Sequence, residues 1–583
     1  MRPLAFLLIS ASFLAAQKPA PDPIMTALAQ ELERSRSLQL EGVDAPYYVE
    51  YSLDDLHAFS VVASMGAVVR SNDTHTRLPR LQVRVGDYAF DNTNYVFSDF
   101  FGRSSGVRIP LDNDPVVLRH HFWLLTDRAF KGAVEAISRK RAALKSVTVQ
   151  EEIKDFSKAS PVTLTAPDRP IAFQRQSWTA QTRALSAVFS KYPQITASNA
   201  EWEASYTDSY YLNNEGSRVR FPDDIFTIRV RAAAQAPDGM PVRDAATVLA
   251  RTPSAIPAQS ELQRKAERIA ENVTALLAAP MAEDYTGPVL VEGDAAPQLF
   301  AQLIGTNLGL TRRPVAEPGR TPPTPSSELE GRIGSRVLPE WLDVVDDPTQ
   351  QEFRGHQLLG YYPVDMEGVV PAPLTVIEKG TLKSYLLTRQ PVRGFDASNG
   401  RARLPGSFGA KAPIFSNLFV RAKESVSADA LKKKLLEIVV QRGKPYGIIL
   451  RKLDFPSSAP ADELRRISAA SSQRGGAARM VAAPLLAYRV YPDGREELVR
   501  GFRFRSLSAR SLRDIIAASD TENIFDFLGN GTSLPMLGGG GYVSGHTVVA
   551  PSVLLEDLEL DRREEDWPKL PLVPPPSLTG SRF

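Results

Sequence analysis

Two hydrophobic rhythms alternate along this chain, and the changes between them mark its elements. Leu28, Leu32 and Leu38 recur around a charged face, which predicts a helix over 24–40. From Pro46 the period shortens toward two, predicting strands at 47–51, 59–63 and 81–85. The last alternates strictly, with Gln82 and Arg84 on the water side. Asp91 to Asn94 reads as a turn. Asp114-Pro115, an N-cap followed by proline at the first helical position, opens a predicted helix over 116–147. Residues 162–200 alternate loop with helix, and 204–221 return to strand. Asn214-Glu215-Gly216 forms the expected tip of a hairpin. A helix over 260–278 carries the stripe Leu262, Ala266, Ile269, Val273 and Leu276, with Ser260 and Gln263 at capping-box spacing.

The stretch that organises the second half is Val289-Leu290-Val291, an apolar run stopped by Glu292-Gly293-Asp294. It predicts a buried strand leading into a helix over 295–309, whose stripe is Leu299, Phe300, Leu303, Ile304 and Leu308. A strand that turns into a helix is where many enzymes place reactive groups, yet residues 299–309 hold no His, Glu, Asp or Cys. Five prolines between 311 and 327 predict an exposed loop. Beyond it the pattern is mainly strand: 344–348 ending in a turn, 374–378 and 382–387 joined at Lys379-Gly380, 485–490 and 498–504 joined at Pro492-Asp493-Gly494, and 553–560. One helix interrupts them, capped by Ser427, striped by Leu431, Leu435, Leu436, Val439 and Val440, and closed by Gly443.

Length and composition narrow the chemistry. At 583 residues the chain exceeds a single core, so at least two domains are expected. Sixty-nine basic against 67 acidic residues argue against a general nucleic-acid binder. The absence of cysteine excludes disulfides, thiolate metal sites, iron–sulfur clusters and a cysteine nucleophile. Of the six histidines (His57, His75, His120, His121, His356 and His546), no two stand at helical metal-motif spacing. A zinc site would have to be assembled from residues distant in sequence.

Three local motifs carry candidate chemistry. Gly538 to Gly541 invite a phosphate-loop reading, but G-x-G-x-x-G fails by one position and no Gly-Lys-Ser/Thr follows. Ser544 and His546 bring a hydroxyl near an imidazole, without the surrounding G-x-S-x-G elbow. Asp365 and Glu367 flank a turn and could act as an acid pair, or simply bond the local backbone. At the start, Arg2 precedes a mostly apolar run over 4–16 that is too short to span a bilayer. It reads as a secretory signal peptide, residues 1–16, cut near Ala16.

Taken together, Val344-Val345-Asp346-Asp347-Pro348, Asp365-Met366-Glu367-Gly368 and Val376-Ile377-Glu378-Lys379-Gly380-Thr381-Leu382 resemble the TldD/PmbA family. Its members are two-subunit bacterial peptidases, also described as modulators of DNA gyrase. Pro413 to Asn417 with Leu418-Phe419-Val420, the glycine run before the last strand, and the hairpin at Asn213 to Gly216 extend the resemblance. It implies an α+β fold: an N-terminal α/β domain over 22–280 and a larger β-rich domain over 285–565, with 311–327 as a loop and 566–583 as a tail. In the catalytic branch the helix after the central strand carries His-Glu-x-x-x-His, and a Cys near the last glycine-rich loop completes a metal site. Laid over this chain, the first motif falls on Ala301, Gln302 and Thr306, and the Cys position falls within 538–542. The resemblance therefore implies a non-catalytic subunit like the PmbA (TldE) branch, with no metal and no cofactor. Its expected partners are a metal-bearing TldD-like paralogue and unfolded peptide, with Asp365, Glu367, Ser544 and His546 as possible cavity residues. Export predicts a periplasmic or secreted protein with no membrane segment after cleavage. Two alternatives stand beside this reading: a stand-alone peptide- or ligand-binding protein, and a hydrolase with a relocated site.

Overall fold

Two neighbouring strands of 19 residues, Pro46–Ser64 and Ala67–Val85, pair antiparallel and anchor a seven-stranded N-terminal sheet. The computed structural model describes residues 22–39, 42–96, 109–145, 153–316, 327–404, 411–458, 481–529, 544–565 and 567–569. Ala197–Asn213 joins the other edge of Pro46–Ser64. Ile225–Gln235, Pro241–Ala250, Arg218–Pro222 and Thr163–Thr165 complete the sheet. The two pieces of strand read around residues 49 and 61 are therefore one element.

The sheet has two occupied faces, and period-two alternation decides which residue meets which. Tyr51 and Leu53 pack under the helices Pro23–Ser35 and Pro115–Leu144. Phe59 and Val61, on the same face, pack with Arg175–Ala187 and Gln259–Ala278. The opposite face meets the C-terminal domain, where Tyr211 and Val219 share a cluster with Val364. Asp114 caps its helix through a side-chain oxygen and is followed by proline as the sequence suggests, and Asp22-Pro23 does the same for the first helix, which starts one residue earlier than expected.

The C-terminal domain is built on an eleven-stranded mixed sheet. At its centre Gly545–Arg562 pairs antiparallel with Tyr285–Val291, which pairs parallel with Gly447–Leu453. Leu342–Asp346, Leu374–Glu378 and Asn417–Ala422 extend one side, and Pro484–Val490 with Glu496–Val499 the other. The main core gathers Val289, Val291, Leu299, Phe300 and Leu303 with Leu418, Leu450 and Val553.

Several expectations change on contact with the structure. Arg84 does not face water: it is buried, donates to Asp91 Oδ2 at 2.8 Å, and lies over the Phe156 ring at 3.6 Å. Ser260 is not a cap, because Gln259–Ala278 begins earlier, with Ala258 as N-cap and no side-chain cap bond. Val440 is exposed rather than part of the buried stripe of Ala428–Gln441. The helix expected over 295–309 ends at Leu303 and continues as a 3-10 turn, Gly305–Asn307. The proposed signal peptide and the glycine run 538–541 lie outside the described residues, as do most of the proline-rich loop and the tail.

Candidate functional site

The strand Tyr285–Val291 stops at Gly293, whose φ of +58° suits a residue without a Cβ, and the helix Ala295–Leu303 follows. This helix is buried almost all round, not along one stripe. Ala301 is wholly enclosed. Gln298, also enclosed, donates through Nε2 to Phe455 O at 2.7 Å and accepts from Leu453 N at 2.7 Å. Gln302 donates to Gln298 O at 3.0 Å and accepts from Ala482 N at 2.7 Å. Thr306 Oγ1 donates to Gln302 O at 2.5 Å. The two amides thus fasten the helix to the end of Gly447–Leu453 and to the backbone at Ala482. The two histidine positions would need lone pairs aimed at one point, and the glutamate position a free carboxylate to take a proton. Ala301 offers a methyl group, the Gln302 oxygen is already bonded, and Thr306 bonds back along its own turn. These residues do not fit a metal ion.

Phe415 packs against the turn that ends this helix, close enough that a Cβ on Gly305 would lie 2.5 Å from its ring. Behind Phe415 lies His546, with ring centroids 4.8 Å apart, and Phe527 stacks on the imidazole at 4.9 Å. His546 Nδ1 donates to Phe415 O at 2.9 Å, which leaves Nε2 to accept the Ser544 hydroxyl at 2.8 Å. That tautomer is assigned from the bonding pattern. Burial, and then the charge of Arg403, push the imidazole down to about 3. The sequence pair is therefore a real pair, with the hydroxyl oriented as a nucleophile's would be toward a base. Behind the imidazole, however, stands a carbonyl where a triad has a carboxylate, and both side chains are buried.

Asp365 and Glu367 also come together, in a different role. Asp365 Oδ1 accepts from Glu367 N and Val369 N at 2.9 Å each, and Oδ2 accepts from Ala402 N at 3.0 Å. Glu367 Oε2 accepts from Arg389 N at 2.5 Å. Burial, reinforced by the charge of Glu367, raises the Asp365 carboxyl to about 7. Three backbone donors pull the other way, toward the carboxylate. Arg389 carries the link onward into the N-terminal domain: its guanidinium donates to Ser157 O at 2.6 and 2.9 Å, pairs with Glu215 at 2.7 Å, and lies over Phe156. Tyr48, Tyr211, Glu50 and Lys411 continue the network, and Tyr211 packs against Gly368. This turn is the joint between the domains.

Neighbouring residues connect the two groups: Asp365 holds Ala402 N, while the charge of Arg403 acts on His546. Arg389 and Gln298 are the residues that sequence reasoning passed over. Each is a polar side chain whose partners lie far away in the chain, and no local spacing marks it. His356, on the separate two-stranded sheet of Glu352–Phe353 and His356–Gln357, bonds Asp526 Oδ2 at 2.7 Å and is raised by that contact.

The central strand, the helix packed on it and the β-rich sheet around them define a PmbA/TldA-type architecture. Residues 286–443 match the model of the PmbA/TldA metallopeptidase C-terminal domain. Together with the shared fold, that match bears out the resemblance to the TldD/PmbA family. Among solved structures, one described as a modulator of a DNA gyrase from Thermotoga maritima has a TM-score of 0.54 and 16% identity, over 88% of this chain and 96% of that one. TldE from Thermococcus kodakarensis gives 0.53 and 12%, over 92% and 100%. At these identities the likeness shows the fold. Shorter sequence matches reach metalloproteases of Archaeoglobus fulgidus, 35% identical over 94 residues, and Methanocaldococcus jannaschii, 35% over 100. Each match covers 16% of this chain and 20% of the relative's length.

Proposed function

We propose that this chain is an exported, non-catalytic member of its family that pairs with a metal-bearing relative in the proteolysis of unfolded peptides. The observation that carries the reading is the helix Ala295–Leu303 and its following turn. Where the resemblance puts His, Glu and His, this chain has a buried methyl group, an amide bonded at both ends and a hydroxyl turned onto its own backbone. Such a subunit contributes walls and backbone edges to a shared cavity, while the partner supplies the metal and the general base.

The test is co-expression of the full chain with a His-Glu-x-x-x-His paralogue from the same genome. The expected result is a stable complex that cleaves an unfolded peptide, with neither subunit active alone. Cleavage by this chain alone, abolished by Ser544→Ala, would transfer the chemistry to the Ser544–His546 pair and end the proposal. The export component is tested separately, by N-terminal sequencing of the mature protein from the envelope fraction. It should begin near Gln17.

A further inference from the structure

On the N-terminal sheet the apolar alternation of Pro46–Ser64 is interrupted on the face that carries the helices. Tyr51 and Leu53 lie under one helix pair, and Phe59 and Val61 lie under the other. Between them, at the same alternation, stand Asp55 and His57. Across the ladder His75 faces His57 and Asp208 faces Asp55. A strand that obeys the apolar rule on both sides of this point breaks it here with an acid and an imidazole, and the facing strand adds a second imidazole. Local departures of this kind concentrate at functional positions.

The geometry of the break is that of a ligand set. The His57 and His75 rings stack with centroids 3.8 Å apart, and His75 Nε2 lies 2.8 Å from Asp55 Oδ1. One ligand atom from each of the three residues falls within 4.8 Å of the others. Zinc–nitrogen and zinc–oxygen bonds of about 2.0–2.1 Å in a tetrahedron put ligand atoms roughly 3.3 Å apart, so side-chain rotation alone closes these three around an ion. The carboxylate is already oriented from behind, since Arg77 donates to its other oxygen, Oδ2, at 3.1 Å and is itself held by Pro110 O at 2.8 Å. Asp208, directly opposite Asp55, is engaged by Arg169 at 3.1 Å and so supports the rim rather than competing as a ligand. All three ligand residues are half-buried, which leaves an entry path and room for a fourth, solvent ligand.

We infer that Asp55, His57 and His75 form a binding site for a zinc-class divalent ion on the N-terminal sheet, separate from the position at which the family resemblance places its metal motif. Two imidazoles and one carboxylate suit zinc or cobalt rather than calcium or magnesium, which favour all-oxygen sets. The ion would bridge the two long strands Pro46–Ser64 and Ala67–Val85 between the helix pairs.

The test uses the full mature chain, without a polyhistidine tag, titrated with Co2+ alone. One equivalent should bind with a tetrahedral visible absorption band, and both His57→Ala and His75→Ala should lose that band while His546→Ala and His121→Ala keep it. Should either site variant fail to fold, a second measurement needs no variant. Diethyl pyrocarbonate modification of the wild-type chain, mapped by peptide mass spectrometry, should fall at His57 and His75 when Zn2+ is added and stay unchanged at His356. A Co2+ band that survives both site substitutions, or modification of His57 and His75 that Zn2+ does not alter, overturns the inference.

Discussion

The helix Ala295–Leu303 and the gap around His57 place polar side chains in comparable positions against a sheet, with opposite outcomes. Around the helix the polar atoms are spent inward. Gln298 and Gln302 bond backbone groups at Leu453, Phe455 and Ala482, and the residues between them are packed without relief. Around His57 the carboxylate and the two imidazoles bond or stack chiefly on one another, half open to solvent. A polar group that satisfies distant backbone is part of the architecture. A cluster whose ligand atoms bond or stack mainly on one another can exchange those contacts for a ligand's.

The largest effect that separates the two regions should come from Gln298→Ala. Removing the amide orphans the buried Leu453 N–H and the half-buried Phe455 C=O, at about 1–3 kcal/mol for each, so a loss of about 4 kcal/mol is expected by urea unfolding. His57→Ala, at a half-exposed site, should cost under about 1 kcal/mol. Equal losses would erase the distinction drawn between the regions. A smaller effect follows from the attempt to restore the catalytic branch's first ligand. Ala301→His forces a ring into a fully packed site, and overpacking of this kind costs about 2–3 kcal/mol. It should confer no cobalt band beyond that of the unaltered chain. A new equivalent of bound Co2+ would show that the helix can still open into a metal site.

Much of this was legible in the chain itself. Val289-Leu290-Val291 followed by Glu292-Gly293-Asp294 predicts a buried strand and a turn, and both are found. The Asp-Pro opening of the long helix needs only local bonding, so it too was readable. What escaped depended on partners far away in sequence. Arg84 alternates onto a water-facing position, yet Asp91 and Phe156 enclose it. Gln298 and Gln302 look like the polar face of an amphipathic helix until the strand end at Leu453 and the backbone at Ala482 arrive to bond them. The strand Pro46–Ser64 read as two pieces because Asp54, Asp55 and His57 interrupt its apolar run. That interruption was itself the sequence trace of the histidine cluster, and it became readable only when His75 was brought opposite. Ser260 misled in the other direction: its spacing to Gln263 satisfies the capping pattern, but the helix starts before it.

The last contrast concerns protons, and it can be measured at the Ser544–His546 pair. His546 is held well below its ordinary value, at about 3, because it is buried and Arg403 is near. Its neutral form is the one the fold accommodates. An unfolded chain binds a proton at this residue below about pH 6.5, while the folded chain refuses it until pH 3, so the folded state loses stability as pH falls through that window. Each pH unit of the window is worth about 1.4 kcal/mol, which gives about 2 kcal/mol between pH 7 and pH 5. Asp365 has the opposite sign: raised to about 7, it holds a proton that the unfolded chain releases, and its contribution fades as pH rises toward 7. Because both groups titrate in the same chain, the wild-type profile alone does not separate them. The difference between wild type and His546→Asn does, since every other group is common to both proteins. That difference should shrink by about 2 kcal/mol on going from pH 7 to pH 5, as the wild type gives up the advantage of its neutral imidazole. A difference that stays constant over that range would mean that His546 takes up its proton in the folded state. The pair would then be an open acid–base site rather than a closed piece of the core.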